Sequence, residues 1–465
     1  MRIVLFRFMA MLPFLLAGLH AMDDVQHVIY ASRSGARLDS NVLTGGGTDD
    51  TDAIQAALDQ APRLGHLRLV MDGAALVRGL TIHPNTTIEC PNPACGFFLA
   101  DGANRSIVRN AHPSAGEIVD RNISILGGTY NHNRRKQLHH TPDGRWVYGL
   151  EFLGVEQLTL RDVVVRDQRT FAVVVSNFRR VHMEHISILL EDRVLDQNED
   201  GLHFFGPGQF LTLRDIQGSS CDDFIALNAD DCATRDKDGK WVNAGGPDAV
   251  ISFGPITDVL IDGVQVDEAT HVIRLLSRVS SIDRVVIRNV MGRYRHFGIH
   301  MNPWRTEGGN VGSVVFDTID LRPVESSDPC FFLFSIGGKH ESIAIRNLRW
   351  QTRDARRMIW IEPGAQVGTL TLDGAEIVAE KPIEKMRYIV VDGQVDRLRL
   401  RNIQVTQPAG MPAGSCLIEL PNGERPHGIG HLQLEDVTTR HLDSIVHADG
   451  GTISRRDGHN VVNAE

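Results

Sequence analysis

The 465-residue sequence lacks an excess of positive charge: 48 Lys and Arg stand against 58 Asp and Glu, which gives a formal net charge of -10. Nucleic acids and anionic membranes bind proteins through basic faces that release counterions, so this balance argues against both as partners. It does not exclude an anionic polysaccharide, because a local basic cleft can bind one on an otherwise negative surface.

No apolar run of the chain is long enough to span a bilayer comfortably; the N-terminal candidate, residues 8–19, is short and contains a proline. Arg2 and Arg7 precede this run and Ala21 follows it, which predicts a secretory signal peptide over residues 1–21. A buried helix or a membrane anchor is the alternative interpretation. We expect export to the periplasm or the medium, without stable membrane insertion.

Cysteine is scarce, with six residues in the chain. Export permits disulfides. Two pairs lie close enough in sequence to be bridged: Cys90 with Cys95, and Cys221 with Cys232. Spacing alone does not fix connectivity, and free buried thiols are an equal alternative for Cys330 and Cys416.

The chain also lacks helix-length periodic stretches over most of its length, and what it has instead is a repeat. From about residue 155 onward, alternating apolar residues are followed by Asp or Asn and then by a second alternating pair, with a spacing of roughly 26 to 34 residues in the second half. The repeats begin at Leu158 (LTLRDVVV), Leu211 (LTLRDIQG), Val259 (VLIDGVQV), Val285 (VVIRNVMG), Val314 (VVFDTIDL), Ile343 (IAIRNLRW), Leu370 (LTLDGAEI), Leu398 (LRLRNIQV) and Leu432 (LQLEDVTT).

Alternation with a period of two predicts strands with one buried face, separated by turns at Gly, Asn and Asp. A βαβ sheet is disfavoured, because each parallel crossover in it needs a helix. The pattern therefore predicts an all-β fold, a single-stranded right-handed parallel β-helix with one coil per repeat. No low-complexity linker interrupts it, so we predict one domain over residues 23–465.

One segment before the repeats differs. Residues 45–61 start with Thr and Asp and continue with Ile54, Ala57 and Leu58 at helical spacing, which predicts a short amphipathic helix. Such a helix would cover the otherwise unpaired edges of the first coil. This opening, a helix followed by strands, resembles the pectin-lyase-like β-helix superfamily.

Two long loops break the rhythm of the repeat. Residues 130–146 (YNHNRRKQLHHTPDGRW) are basic and rich in His, and residues 230–247 are polar and follow an aspartate pair. Long loops on a rigid scaffold commonly line a binding site, although a tolerated surface insertion is the default alternative.

The most specific feature is the sequence NEDG at residues 198–201, followed by CDDFIAL at residues 221–227. Asp200 and Asp222 are 22 residues apart, about one coil, so we expect them to stack on adjacent coils about 4.8 Å apart. Asp223 joins them if a bulge or a turn brings consecutive residues to the same face. Three carboxylates would then converge without a metal or another cofactor.

Electrostatics decides what such a cluster can do. Two like charges about 5 Å apart repel by roughly 3 kcal/mol at an effective dielectric constant near 20, or about two pKa units. One carboxyl should therefore keep its proton near neutrality. A protonated acid beside ionised carboxylates is the equipment for hydrolysis of a glycosidic bond.

The two motifs resemble the N-T-D and G-D-D motifs of glycoside hydrolase family 28, the polygalacturonases and their relatives. Downstream, residues 256–277 resemble the coil that ends in G-H-G-I-S-I-G-S, which aligns His271 with the motif histidine, and residues 298–304 (GIHMNPW) resemble G-I-R-I-K-T-W. The resemblance implies an inverting hydrolase with Asp222 as general acid, Asp200 and Asp223 as the water-activating pair, and His271 beside the acid. It implies a pectin-like or related polysaccharide or oligosaccharide as substrate.

The sequence departs from this family where the substrate carboxylate would be bound. His300 and Asn302 replace the R-x-K pair, which removes two charge-assisted hydrogen bonds of about 1.5 to 3 kcal/mol each. Either the subsite accepts a neutral sugar, or Arg274 or Arg305 replaces the lost charge. The predicted substrate-binding residues are Asn198, His203, Arg274, His300, Asn302 and Trp304.

Some of these residues have structural alternatives. On a strand, His203 would share the face of Gly201 and not that of Asp200, which favours a structural role, and Trp304 is as consistent with packing as with sugar stacking. Two other functions stay open for the whole chain. One is a polysaccharide lyase, which would need a cation and a basic residue. The other is a non-catalytic carbohydrate-binding solenoid.

Overall fold

The computed structural model describes residues 26–192, 198–230, 233–243, 251–302, 308–324, 332–353, 357–383, 385–410 and 414–464. The predicted signal peptide, residues 1–21, lies outside them. Among the described residues, helix is confined to α1 (Thr51–Leu58), α2 (Ala61–Leu64) and two 3₁₀ turns, Ala31–Arg33 and Arg134–Lys136. None of these helices is long and apolar enough to cross a membrane.

The rest of the described secondary structure is strand. The strands are β1 Gln26–Tyr30, β2 His66–Val70, β3 Ala74–Val77, β4 Leu80–Ile82, β5 Thr86–Glu89, β6 Gly96–Leu99, β7 Val108–Asn110, β8 Asp120–Leu126, β9 Thr129–Asn131, β10 Leu150–Arg161, β11 Val164–Arg166, β12 Val173–Leu189, β13 Leu202–Ser219, β14 Asp223–Asn228, β15 Ala233–Arg235, β16 Trp241–Asn243, β17 Ile256–Leu276, β18 Ile282–Met301, β19 Asn310–Pro323, β20 Phe332–Ile336, β21 Lys339–Thr352, β22 Arg357–Ile361, β23 Gln366–Ala379, β24 Arg387–Val391, β25 Gln394–Thr406, β26 Cys416–Leu420, β27 Gly428–Arg440, β28 Ser444–Ala448 and β29 Thr452–Ala464.

Within the described ranges, 27 strands join in one parallel sheet, and β15 and β16 form a separate antiparallel hairpin. Each strand pairs with strands one coil away; β21, for example, lies between β19 and β23. The chain is therefore a right-handed parallel β-helix, as the repeat predicts. Its longest strands bend around a corner, so that β18 pairs with β19 along one part and with β20 along another.

In six of the nine repeats the Asp or Asn occupies that corner, and in the other three Gly263, Thr318 and Gly374 occupy it. The six Asp and Asn residues have φ between 51° and 58°, a left-handed conformation that Asn and Asp tolerate better than other residues with a side chain. They are Asp162, Asp215, Asn289, Asn347, Asn402 and Asp436. Their side chains also link coils, since Asn347 Nδ2 donates to Asp317 Oδ1 at 2.8 Å and Asn402 Nδ2 donates to Asp373 Oδ1 at 2.8 Å. The corner thus explains why the repeat requires these residues.

The apolar residues of the repeats fill the interior of the coil as one continuous core from Ala31 to Leu442. Helix α1 covers the first coils by burying Ile54, Ala57 and Leu58, which confirms the predicted capping helix. The helix is shorter than predicted, because Asp49 pairs with Leu76 and the Asp50 amide donates to the Leu76 carbonyl at 2.9 Å, so the helix begins only at Thr51.

The bridge that the spacing of Cys90 and Cys95 allows does not form, because both side chains are buried free thiols. Burial raises the pKa of Cys90 to about 12, and it does the same for Cys416, which is also a free buried thiol. Such thiols are packed apolar groups rather than reactive ones. Cys232 and Cys330 lie outside the described residues, so the pairing of Cys221 stays a prediction.

One face of the coil carries the predicted site, and we call it the β14 face. It consists of β4, β7, β14, β20, β22, β24, β26 and β28 and of the segments of β10, β12, β13, β17 and β18 that pair with them. Because its strands follow one another coil by coil, outward-facing side chains form rows along the axis of the helix.

Candidate active site

Three successive coils of the β14 face place Asp200, Asp223 and His271 side by side. Asp223 pairs with His271, and the Gly201 amide donates to the Asp223 carbonyl at 2.9 Å, which continues the β13–β14 pairing back to Asp200. The predicted stacking of Asp200 on Asp222 is therefore wrong by one residue. Asp222 lies in a bend before β14, and this bend lets consecutive aspartates face the same side.

The ring of His271 contacts both members of the aspartate pair. Its Nδ1 lies 2.7 Å from Asp223 Oδ1 and 3.4 Å from Asp222 Oδ1. The side chain of Asp222 is 34% exposed, that of Asp223 11% and that of Asp200 2%. Asp222 is thus the carboxyl group that opens to the surface, and Asp200 is the deepest.

A second group of polar residues holds Asp200. His203 Nδ1 lies 2.6 Å from Asp200 Oδ2, and Asn228 Nδ2 donates to His203 Nε2 at 3.1 Å. Since Nε2 accepts, the ring proton sits on Nδ1 and is donated to Asp200. Burial lowers the pKa of His203 to about 4, so the ring is neutral. The expectation that His203 faces away from Asp200 is wrong, because Asp200 precedes β13 and the alternation of the strand does not reach it.

Asn198 joins the two ends of the carboxylate cluster. With its amide nitrogen turned toward them, it donates to Asp200 Oδ1 and Asp222 Oδ2, each at 3.2 Å. Together with the contacts above, this brings all four predicted catalytic residues and two of the predicted substrate-binding residues into one network.

The surroundings of the three carboxyl groups shift their pKa values in different directions. Burial, followed by the charges of Asp223 and Asp222, holds the pKa of Asp200 well above its usual range. Burial and the charge of Asp223 also raise the pKa of Asp222. Burial acts in the same direction on Asp223, but the nearby His271 and Arg274 outweigh it and lower the pKa of Asp223. Burial opposes protonation of His271, yet the two adjacent aspartates raise its pKa.

This arrangement allows one ionised carboxylate, Asp223, beside a protonated His271 while Asp222 holds a proton at the surface. Acid and base are then available together, which is the requirement of glycoside hydrolysis. The same residues could hold a metal ion, since ligand atoms of Asp222, Asp223 and His271 lie within 4.8 Å of one another. His271 would have to lose its proton to do so.

The residues at the positions of the family's R-x-K pair turn toward an acid. Asn302 Nδ2 donates to both carboxylate oxygens of Glu362, at 3.0 and 2.7 Å, and Ser335 Oγ donates to the same group. His300 Nε2 lies 3.9 Å from Glu362 Oε1. Burial and the charge of Arg274 hold the pKa of His300 well below its usual range, so this ring adds no positive charge.

Arg274 is 2% exposed and lies beneath this group, with Nη1 in contact with His300 Nδ1. Its charge acts on the three aspartates from below. It is therefore a buried counterion in this arrangement. Trp304 and Arg305 lie outside the described residues.

The predicted loop at residues 130–146 is fastened to the site. Arg134 Nη1 donates to Glu199 Oε2 at 2.5 Å, and both side chains are buried. Arg169 donates to His139 Nδ1 at 2.9 Å and to the Gln137 carbonyl at 3.1 Å. Glu199 immediately precedes Asp200, so this loop is anchored to the backbone that carries the buried carboxylate.

Sequence reasoning missed Glu199, Arg134 and Glu362. Glu199 stands inside the NEDG motif, and its place one residue before Asp200 was a usable signal. Glu362 follows Asn302 by 60 residues, and only the coil period could have indicated that the two meet.

Aromatic rings line the β14 face on both sides of the aspartates. Toward the N-terminal coils, Trp146 stacks on Phe171 (centroids 6.3 Å apart, 14° between planes) and Phe171 stacks on His203 (4.7 Å, 7°). Toward the C-terminal coils, a second series of stacked rings runs outward: His271, Phe297, Phe332 and Trp360, with centroids 5.5, 6.4 and 4.8 Å apart. Flat aromatic surfaces of this kind suit the apolar faces of ring-shaped ligands.

Comparison with known proteins supports the fold. No family model matches the sequence, and no curated protein matches it. Among solved structures, the tailspike protein of E. coli bacteriophage HK620, in complex with a pentasaccharide, matches with a TM-score of 0.54 and 10% identity, over 87% of this chain and 75% of that chain. At this identity the match shows the fold alone, a parallel β-helix.

Two other similar structures are exopolygalacturonases. One, hyperthermoactive, is from Thermotoga maritima (TM-score 0.46, 13% identity, 94% of this chain and 92% of that chain). The other, of family 28, is from Yersinia enterocolitica (TM-score 0.45, 14% identity, 93% and 78%).

Proposed function

We propose that this protein is an inverting glycoside hydrolase that cleaves a pectin-like or related polysaccharide or oligosaccharide. The observation that carries the proposal is the convergence of Asp200, Asp222 and Asp223, with pKa values displaced in opposite directions for Asp222 and Asp223. The motif resemblance to glycoside hydrolase family 28 supports the same assignment. No cofactor takes part.

In the proposed reaction, Asp222 donates its proton to the leaving glycosidic oxygen. A water molecule attacks the anomeric carbon from the opposite side, and Asp223, supported by Asp200, accepts its proton. The bond from the anomeric carbon to the leaving oxygen breaks as the bond to water forms, which inverts the configuration. Inversion is proposed from the motif resemblance, because carboxylate oxygens of Asp222 and Asp223 within 4.8 Å of each other are closer than the spacing of about 6.5 to 9.5 Å that is usual in inverting enzymes. His271 keeps Asp223 ionised.

The sugar at the cleavage point is proposed to be neutral. His300 and Asn302 face Glu362, and the buried Arg274 faces the three aspartates. None of these described groups presents an exposed cation to a uronate; Arg305 lies outside the described residues. Export to the periplasm or the medium is also part of the proposal, and a mature N-terminus at Met22 in an exported fraction would support it.

The decisive experiment is Asp222→Asn, assayed by release of reducing ends on pectic, neutral and sulfated polysaccharides. We expect a loss of turnover of about a thousandfold or more, because the leaving group is no longer protonated. Asp436→Asn, at a partly exposed corner residue far along the coil, is the matched control. Near-wild-type turnover of folded Asp222→Asn would remove Asp222 from the mechanism.

The same assay distinguishes a hydrolase from a polysaccharide lyase. A lyase remains an alternative because Asp222, Asp223 and His271 are spaced for a metal ion. A lyase would release an unsaturated product that absorbs in the ultraviolet and would stop in a chelator. We expect saturated products and activity that survives chelation. Binding without any new reducing ends would favour a non-catalytic solenoid instead.

A further inference from the structure

A cavity of about 230 Å³ opens on the β14 face on the N-terminal side of the aspartates. Strands β4, β7 and β10 form its floor, and residues 141–145 of the long basic loop form one wall. Its polar lining includes Arg105, Ser106, Arg109, Arg145 and Glu151. The site described above does not use this cavity.

The charges of the cavity are only partly compensated. Arg145 is paired with Asp143 at 3.1 Å and with Glu151 at 3.5 Å, and Glu151 also accepts a hydrogen bond from Ser106 at 2.7 Å. Across the described part of the chain, no carboxylate lies within ion-pair distance of the Arg105 or Arg109 guanidinium. The cavity lining holds three arginines and two carboxylates, Asp143 and Glu151, which leaves one net positive charge on a concave surface.

The register of the coils fixes the distance from this cavity to the aspartates. Arg109 pairs with Glu151, Glu151 with Val174, and Val174 with His203, which contacts Asp200. Three coils at about 4.8 Å each separate Arg109 from His203, about 14 Å in all. A pyranose unit in an extended chain spans a length similar to one coil, so the cavity lies a few sugar units from the cleavage point.

The surface between the two places is continuous and aromatic. Arg145 lines the cavity, and the next residue, Trp146, stacks on Phe171, which in turn stacks on His203. Trp146 is partly exposed. A sugar chain lying along this path would meet flat rings between the arginines and the carboxylates.

We infer that this cavity is a subsite for an anionic group, a carboxylate or a sulfate, carried by a sugar a few units from the bond that is cleaved. The inference rests on the proposed function, because only a substrate that is cleaved at the aspartates has to run from there to the cavity. The guanidinium groups of Arg105 and Arg109 supply planar pairs of N–H donors that match either oxyanion. The substrate is then a polymer with a neutral sugar at the cleavage point and an acidic sugar or substituent nearby.

The test is binding by Asp222→Asn protein, which holds polymer without cleaving it, in affinity electrophoresis against polygalacturonate, dextran sulfate and a neutral galactan. We expect at least one anionic polymer to bind more tightly than the galactan. The double variant Arg105→Gln/Arg109→Gln should weaken that binding about tenfold or more. The matched control is Arg121→Gln, an exposed arginine of β8 on another face. Comparison of the two anionic polymers tells carboxylate from sulfate.

Equal binding by the double variant, or no preference for any anionic polymer, would overturn the inference. Reducing-end assays of the wild-type protein on the same polymers test hydrolysis, so a failure of the proposed subsite can be told from a failure of the proposed hydrolase activity. Arginine-dependent binding without hydrolysis contradicts the hydrolase and leaves the subsite intact. Hydrolysis that is indifferent to both arginines contradicts the subsite and leaves the hydrolase intact.

Discussion

The two sides of the aspartate cluster differ in charge although both offer stacked aromatic rings. On the N-terminal side, Arg105 and Arg109 face a cavity without a carboxylate partner among the described residues. On the C-terminal side, Glu362 binds Asn302, and Asp392 accepts a hydrogen bond from Trp360 Nε1 at 2.7 Å. The same backbone geometry therefore carries a cationic surface on one side of the aspartates and an acidic surface on the other. The specificity of the groove for charged sugars is set by its rows of side chains and not by the backbone.

The largest expected effect comes from breaking the buried ion pair between Arg134 and Glu199, which fastens the loop at residues 130–146. Arg134→Gln leaves Glu199 buried without its closest cation, and we expect a loss of about 3 kcal/mol in the free energy of unfolding, measured in urea. Adding Glu199→Gln should restore much of it, because neither position then carries a buried charge and Arg169, the second partner of Glu199 at 3.5 Å, is 19% exposed to water. Unchanged stability of Arg134→Gln would show that the loop is not held by this pair.

Removal of the acid on the C-terminal side should change selectivity. Glu362→Gln removes a negative charge beside His300 and Asn302, so we expect kcat/KM on a uronate polymer to rise about tenfold relative to a neutral one. Glu419→Gln, farther along the same face and paired with Arg387, is the matched control. An equal change on both polymers would contradict a role in selecting charge.

Substitution of one aromatic ring on each side of the aspartate cluster tests whether the substrate contacts both sides of the cluster. Trp146→Ala and Trp360→Ala should each raise KM about fivefold with little change in kcat, since each removes one stacking surface worth about 1 kcal/mol. An effect confined to one of the two variants would mean that the chain occupies only that side of the cluster.

The smallest effect should come from His271, which lies between the sides. His271 lowers the pKa of both Asp222 and Asp223. Without it, the base Asp223 needs a higher pH to ionise and the acid Asp222 keeps its proton to a higher pH. Both limbs of the pH profile of kcat/KM should therefore move upward in His271→Gln and stay in place in His431→Gln, a control on β27 whose side chain is 19% exposed. Limbs that move in opposite directions would contradict this assignment.

The sequence was enough to predict the coil, because alternation and the Asp or Asn of each repeat follow from elementary backbone requirements. Asn347 and Asn402, for example, stand in the repeat because the corner needs a left-handed residue. The capping helix was predicted for the same kind of reason, and its true start at Thr51 depends on the pairing of Asp49 and Asp50 with Leu76, which composition does not specify.

The site was predictable to within one residue. Spacing alone indicated that Asp200 meets the aspartate pair, but the bend before β14 decides that Asp223 and not Asp222 stands opposite. The contact of His203 with Asp200 was not predicted, because Asp200 lies outside β13 and the alternation of side chains along the strand does not extend to it. Glu362 was missed, because it reaches Asn302 across one intervening coil, and the coil period, not a local motif, indicates that the two meet.

The regular pitch of the coil has a consequence for product length. Hydrogen bonds across three successive coils hold Arg109 at a set distance from Asp200, and this distance cannot stretch to suit different polymers. If the cavity captures an acidic unit and the aspartates cut, each cleavage falls a constant number of sugars from that unit. The β-helix would then act as a ruler, and digestion of an irregularly substituted polymer would yield fragments that end at a uniform offset from their charged residues.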